Sequence, residues 1–382
     1  AVAKRGSLFI WRWIAVRGLY VHIPFCVRKC GYCDFVSYCG QESRHDEYID
    51  ALISEMSAYK GEQVDTVFIG GGTPTVLSAP LLNKLCTGIR NCFDLQDKLE
   101  FTCEANPGTL SEEKLDALLE GGVNRLSIGV QSFNDNELQC IGRIHSAKEA
   151  YDTVLRAKQA GFDNISIDLM TALPFQTMDS LKNSLKTAVS LPVKHISAYS
   201  LIIEDNTPIA DEYRNGKIVL PDENEDREMY SMTSDFLKEH GLFRYEISNY
   251  AVKGYESRHN MKYWKCEEYY GIGAAAHSYI NRIRFSNTSD LDKYISGEFR
   301  SGEEERLTRE DMISEFIIMG MRMDTGISKK EFQVRFGTDI ESIYGNELRR
   351  FTETGFIIAD DFGYRFSDKG RNVSNAILCE FV

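Results

Sequence analysis

Between residues 19 and 201 the chain repeats one pattern. Six apolar runs of strand length, Leu19–Ile23, Val64–Ile69, Leu99–Cys103, Arg125–Val130, Ile165–Met170 and His195–Leu201, are separated by segments of helical period. The first such segment, Glu47–Tyr59, sets Tyr48, Ile49, Leu52, Ile53 and Met56 on one face. The others are Pro80–Phe93, a helix opened by Ser111, Ala147–Ala160 closed by Gly161, and Ser180–Ser190. Strands joined by helical crossovers pair in parallel, with the helices packed outside the sheet. Six units fall short of a closed eight-fold barrel. The pattern therefore predicts an α/β fold, a partial (βα)6 TIM-like barrel left open along one side.

Beyond about Pro208 the rhythm changes. An acidic helical stretch (Pro221–His240) leads to a Tyr-, Gly- and His-rich region (Phe243–Tyr279). The last unit reads as three helices and a two-stranded wing, Phe356–Ala359 and Tyr364–Phe366, a small winged-helix-like module. The expected division is an N-terminal extension over 1–18, the partial barrel over 19–215, a middle region over 216–302 and the winged-helix-like domain over 303–382. With 44 Lys+Arg against 57 Asp+Glu, the net charge of −13 argues against nucleic-acid binding, which needs clustered cations. Ala1–Val16 has a basic start and a short apolar run, but Arg12 interrupts it and no small-residue cleavage site follows. No other stretch is apolar over a span long enough for a bilayer. The expectation is a cytoplasmic protein without a transmembrane segment.

Ten cysteines are too few for a disulfide scaffold in 382 residues, and their spacing is uneven. Cys26, Cys30 and Cys33 follow directly on the first strand with Cys-x3-Cys-x2-Cys spacing. Three thiolates on a short loop can take three corners of an iron–sulfur cubane and leave the fourth iron open. A zinc site would need a fourth ligand, such as Cys39, His22 or His45, and no second Cys-x-x-Cys is present. Unligated thiols are the third reading. Cys39, Cys86, Cys92, Cys103, Cys140, Cys266 and Cys379 show no ligand spacing and read as ordinary reduced thiols. The acidic Asp222–Glu228 run reads as a solvated helix face.

The cysteine spacing after a first strand, with Tyr32 just before the third cysteine, resembles the radical S-adenosylmethionine (SAM) superfamily. That resemblance implies a [4Fe-4S] cluster whose open iron chelates the methionine end of SAM. An electron from the cluster then cleaves the S–C5′ bond. Later strands end in polar or Gly motifs: Gly70-Gly-Gly-Thr-Pro74, Glu104, Gln131, the loop residue Arg143, and Asp168 on the fifth strand. Each alone reads as a turn or a solvated strand end. Together they meet at one barrel mouth, with an acceptor for ammonium, a cation for carboxylate and partners for ribose hydroxyls. By resemblance, Tyr20, Tyr32, Gly71, Gly72, Thr73, Glu104, Gln131, Arg143 and Asp168 line the SAM.

The strings HIPFC, GGGTPT, EANPGT, SIGVQSF, GRIH and LPFQT resemble the oxygen-independent coproporphyrinogen III oxidase family and its relatives, the HemW-type heme chaperones. The oxidase branch carries a further cysteine where this chain has Phe35. His259-Asn-Met-Lys-Tyr-Trp264 matches the HNxxYW heme motif of the chaperone branch, which implies His259 as a heme ligand. In isolation a His beside aromatics is more often a packing residue. His277 is a second candidate, and Ala172 and the Ala274–Ala276 run stand where the family carries more Gly. The resemblance thus implies a heme chaperone that passes heme to apo-hemoproteins such as respiratory enzymes, with a protein reductant for its cluster. The alternatives are anaerobic coproporphyrinogen III decarboxylation by the radical SAM route and a zinc-stabilised binding module.

Overall fold

The structure is a computed structural model and describes residues 16–382. The reading of the leader-like start falls on residues 1–16, almost wholly outside the described ones. Six parallel strands come first: β1 (Arg17–Ile23), β2 (Gln63–Gly71), β3 (Asp94–Ala105), β4 (Arg125–Gln131), β5 (Asn164–Thr171) and β6 (His195–Ser200). They are connected by α1 (His45–Ser57), α2 (Ala79–Cys92), α3 (Glu112–Glu120), the pair α4 (Asp135–Cys140) and α5 (Ala147–Ala160), and α6 (Met178–Ser190). Each strand pairs with its sequence neighbour, in the order β1 to β6, as a partial barrel requires. Ser111 caps α3 through its hydroxyl, and Ser146 with Glu149 closes a capping box on α5.

The chain then adds α7 (Pro208–Arg214) and α8 (Glu223–Glu239), the short antiparallel pair β7 (Phe243–Arg244) and β8 (Asn249–Ala251), and α9 (Arg258–Trp264). β8 pairs antiparallel with β6 and extends that edge. On the opposite edge β9 (Tyr269–Ile272) pairs in parallel with β1, followed by β10 (His277–Ile280), β11 (Ile283–Asn287) and β12 (Arg300–Arg306), all antiparallel. The sheet thus has twelve strands, six more than the sequence pattern revealed. β12, RSGEEER, is exposed along its whole length at the outer edge. Residue 303, where the last domain was expected to start, lies inside this strand. The first strand likewise starts at Arg17, inside the expected extension, because Arg17 already pairs with Val64.

The C-terminal unit has its own apolar cluster, with Phe316, Ile317, Phe332, Leu348 and Phe381 at its centre. Helices over Arg309–Gly320, Lys329–Phe336 and Glu341–Glu353 surround it. Its wing has three strands where two were expected: β13 (Ile327–Ser328) joins β14 (Ile357–Ala359) and β15 (Gly363–Phe366) in the order β13-β15-β14. Arg335 ties the unit to the middle region, donating to the carbonyls of Lys265 (2.7 Å) and Cys266 (2.5 Å). Arg284 forks onto Glu315 with two contacts of 2.6 Å. No helix among the described residues is long and apolar enough to cross a membrane.

What positions the site is the alternation along the six parallel strands. β4, Arg-Leu-Ser-Ile-Gly-Val-Gln, is buried at every residue. Leu126, Ile128 and Val130 join the main apolar core under the helices. The opposite face turns Arg125, Ser127 and Gln131 inward, since successive side chains leave a strand on opposite sides. The register sets Glu104 beside Ser127 and Asp168 beside Gly129 and Ser197. The inner face is a polar lumen, unlike the apolar filling common in parallel barrels.

Candidate cluster and cofactor site at the barrel mouth

The cysteine loop leaves β1 and is held at both ends by backbone hydrogen bonds. Cys26 N donates to Tyr38 O (3.0 Å), Tyr38 N to Pro24 O (2.6 Å) and Gly31 N to Ile141 O (3.0 Å). Cys26, Cys30 and Cys33 are all partly exposed at this mouth, whereas Cys39 is exposed. Among the described residues no three His, Cys, Asp or Glu side chains converge on one metal ion. Of the remaining thiols, Cys86, Cys92 and Cys103 are core residues and none is bonded to another.

β2 delivers its glycines directly against this loop. Gly72 N donates to Ile23 O (2.9 Å) and Thr73 N to Phe25 O (2.8 Å). A Cβ on Gly72 would stand 2.6 Å from Phe25 O and 3.0 Å from Cys26 Sγ, so no side chain fits there. Gly71 has φ +112°, a conformation open to glycine alone. Thr73 Oγ1 accepts from Asn106 Nδ2 (2.7 Å) and lies 3.6 Å from Cys26 Sγ.

Arg143 joins the later loops to the cysteines. It donates to Cys30 Sγ (3.4 Å), to Asn106 Oδ1 (2.6 Å) and to Gly129 O, and its buried Nε has no partner. Glu104 accepts from Gly71 N (3.1 Å). Burial pushes its carboxyl up to about 8, and the neighbouring Asp168 adds to the shift. Burial raises Asp168 as well, although Ser127 donates to it (3.3 Å). Neither carboxylate has a salt-bridge partner among the described residues. A bound cation or ammonium would relieve both, which is the charge that SAM carries, so the donor set fits that cofactor. Gln131 is buried with φ +67° and accepts from Tyr199 OH (3.1 Å), a strained non-glycine at a strand end. Tyr32 faces Arg143, Cys30 and Asp168. Tyr20 lies one layer deeper, bonded to His22 Nδ1 (2.9 Å) and stacked on Phe68. Eight of the nine residues expected around SAM thus lie with the three cysteines toward one mouth, and Tyr20 lies beneath them in the lumen.

His259 does not. The helix α9 plugs the opposite, N-terminal end of the lumen, where a Cβ on Gly18 would touch both Lys262 and His259. Glu100 accepts from the backbone N–H groups of Arg258 and His259 (2.9 Å each) and holds the start of this helix. His259 is 1% exposed. Its Nδ1 is bonded to Thr66 Oγ1 (2.9 Å) and its Nε2 to Tyr263 OH (2.8 Å), with the ring stacked on Phe68. Burial, with the Lys262 and Arg125 charges, holds its pKa down to about 3. Both ring nitrogens are thus engaged beneath the lumen, and heme ligation by His259, as the motif leads one to expect, requires one of these bonds to be exchanged. His277 is exposed at the start of β10, which lies between β9 and β11 in the sheet.

Three lumen residues escaped sequence reading. Arg125 is 1% exposed, and its Nε and Nη1 lack partners. His195 bonds Ser166 (2.7 Å) and Tyr245 (2.8 Å), and burial keeps it well below its ordinary pKa. Tyr199 reaches Gln131. The signal was the polar–apolar alternation inside strands that are buried throughout.

The comparisons agree with this geometry. The profile of the Radical SAM superfamily matches residues 20–188, and that of the HemN C-terminal domain matches residues 307–373. Heme chaperone HemW of Lactococcus lactis is 40% identical over 95% of this chain and 96% of its own length. Heme chaperone HemW of Bacillus subtilis is 40% identical over 96% and 99%. Among solved structures, the coproporphyrinogen III oxidase HemN of Escherichia coli superposes with a TM-score of 0.83 at 24% identity, covering 95% of this chain and 89% of that one.

Proposed function

This chain belongs to the HemW heme chaperone family of radical SAM proteins, and from that membership we propose that it binds heme and delivers it to apo-hemoproteins, respiratory enzymes among them. The observation that carries the reading is the full-length likeness to heme chaperones. In this reading Cys26, Cys30 and Cys33 hold a [4Fe-4S] cluster, which supplies an open iron and an electron to SAM when both are bound. Gly71, Gly72 and Thr73 receive the ligand's backbone-like end. Glu104 and Asp168 balance its positive charge, Arg143 faces its carboxylate, and Gln131, Tyr20 and Tyr32 wall the pocket. A protein reductant supplies the cluster. The residues up to β1, the barrel, the middle region with α9 and the C-terminal unit are the four parts, with the last beginning at about residue 307.

Phe35 supports the chaperone branch over the decarboxylase. It stands 65% exposed at the mouth, where the oxidase branch has its extra cysteine. The test is an anaerobically reconstituted chain titrated with hemin, then mixed with an apo-form of a b-type respiratory hemoprotein. One heme per chain and its transfer are expected. Absence of stoichiometric heme binding overturns the proposal, as does protoporphyrinogen formation from coproporphyrinogen III with SAM and reductant.

A further inference from the structure

The lumen below the cofactor mouth holds a cation that no contact accounts for. Arg125 opens β4, is 1% exposed, and leaves its Nε and Nη1 without partners. It forms no salt bridge among the described residues. Taking a charge out of water is costly unless an opposite charge or hydrogen bonds replace the lost solvation. A guanidinium this deeply buried and this poorly bonded answers charge that reaches it from further away.

That charge stands one layer higher. Arg125 and Ser127 turn to the lumen from alternate positions of β4, and the register sets Thr102 beside Arg125 and Glu104 beside Ser127. Asp168, which accepts from Ser127 (3.3 Å), completes a pair of buried carboxylates. Burial raises both carboxyls, and the positive charge of Arg125 draws both back down. Few other groups near the pair carry charge. Burial raises the phenols of Tyr20, Tyr32, Tyr199 and Tyr263, as it does the Cys103 thiol, so these stay neutral where the carboxyls titrate. Arg143 acts on Asp168 but is bonded to Cys30 and Asn106. Lys262, in the plug, is paired with Asp65 (2.9 Å) and Glu267 (3.1 Å).

We propose that Arg125 is a positioning residue for SAM, the fixed counter-charge of the Glu104–Asp168 pair, which it supports from one layer below the mouth. The proposal rests on the reading of this mouth as a SAM site. With both carboxyls ionised, the pair outweighs Arg125 by one negative charge, so one carboxyl of the empty site keeps a proton. A sulfonium ligand supplies the missing positive charge, and its arrival releases that proton. Arg125 determines how readily the proton leaves. A guanidinium bonded directly to Glu104 or Asp168 would neutralise that carboxylate and turn it away from the ligand. Held one layer below, it steadies both charges and leaves them to the mouth.

The test is SAM binding to the full reconstituted chain, by equilibrium dialysis between pH 6 and pH 9. In Arg125→Met the carboxyls hold their protons to higher pH, so affinity at pH 7 should fall roughly tenfold, the equivalent of about one pH unit. The deficit should narrow to about twofold at pH 9, where the carboxyls of both chains ionise. The ligand's own amine titrates alike for both chains and cancels in the ratio. Arg125→Lys keeps the charge and should restore most of the affinity at pH 7. In a Glu104→Gln background Arg125→Met should lose most of its effect, whereas a merely structural defect would persist at every pH and in both backgrounds. Calorimetry on chains that keep Arg125 gives a second reading: at pH 7 wild type should release about one more proton on binding SAM than Glu104→Gln does. Equal release refutes the proposal. So does an Arg125→Met chain that binds SAM as wild type does at pH 7, or more weakly by one factor at all pH values; the cofactor reading then stands. If wild type binds no SAM, both fall.

Discussion

Replacing His259 by Ala separates a buried plug from a metal ligand. The substitution removes both hydrogen bonds of the ring and leaves Thr66 Oγ1 and Tyr263 OH to find partners in a space closed to solvent. An unsatisfied buried group costs roughly 1–3 kcal/mol, and the ring's packing on Phe68 is lost as well. A destabilisation of about 3 kcal/mol at pH 8 is expected on that basis. The gap should shrink in acid, with the following sign. The folded pKa is lowered from 6.5 to about 3, so between those values the unfolded state binds the proton and the folded state does not. Wild type therefore loses stability as pH falls below 6.5, by about 1.4 kcal/mol per unit from this ring, or about 2 kcal/mol at pH 5. The Ala variant lacks that term, so its deficit at pH 5 should be only about 1 kcal/mol. Urea denaturation of both chains at pH 8 and pH 5, followed by far-UV circular dichroism, measures this directly. A Thr66→Val cycle adds a check, with a coupling of about 1 kcal/mol between the two sites. A variant as stable as wild type at pH 8, or a gap that does not narrow at pH 5, refutes the reasoning.

Other perturbations test the mouth and the backbone. Gly72→Ala should drive the cysteine loop off β2 and reduce iron and sulfide bound after reconstitution, read by metal analysis and visible absorption. Cys39→Ser should leave that content intact, and Cys33→Ser should not. For Glu104→Gln, the folded carboxyl is raised above its ordinary value, so the wild-type residue destabilises the empty fold increasingly from pH 4.5 up to about 8. The variant should thus have a higher urea midpoint than wild type at pH 8, a smaller advantage at pH 5, and weaker SAM binding by equilibrium dialysis. Ala275 adopts φ +61°. Ala275→Gly should stabilise the chain by about 0.5–1 kcal/mol, the relief of a left-handed alanine less the added freedom of the unfolded chain; a lower thermal midpoint would argue against it.

Strongly local signals were legible in the sequence. Ala147–Ala160 appears with the predicted ends because a capping box opens it and Gly161, at φ +120°, closes it. Gly71, Glu104 and Gln131 were legible because each lies at the end of a strand, and a parallel sheet brings such ends together. Residues that depend on long-range placement were not. His259 carries a motif, but only the packing of α9 under Gly18 and Thr66 shows that its ring is enclosed. His45, Lys114 and Arg156 come from three separate segments with no shared spacing, and only the fold brings them to one cleft beside Phe25 and Cys26. β9 was hidden in a Tyr- and Gly-rich stretch because its identity as a strand depends on pairing with β1. β13 is two residues long, too short to carry any period.

β12 has a consequence for how these molecules behave in a crowd. A twelve-stranded sheet that does not close must stop somewhere, and its last strand offers unpaired amides and carbonyls to any extended chain nearby. Here that strand reads Arg-Ser-Gly-Glu-Glu-Glu-Arg, with a positive-φ glycine, Gly302, and three adjacent carboxylates. A second copy approaching edge to edge would set like charges against each other and meet a backbone bent at the glycine. The edge is built to refuse a thirteenth strand, which keeps a protein with so wide a sheet from polymerising through it.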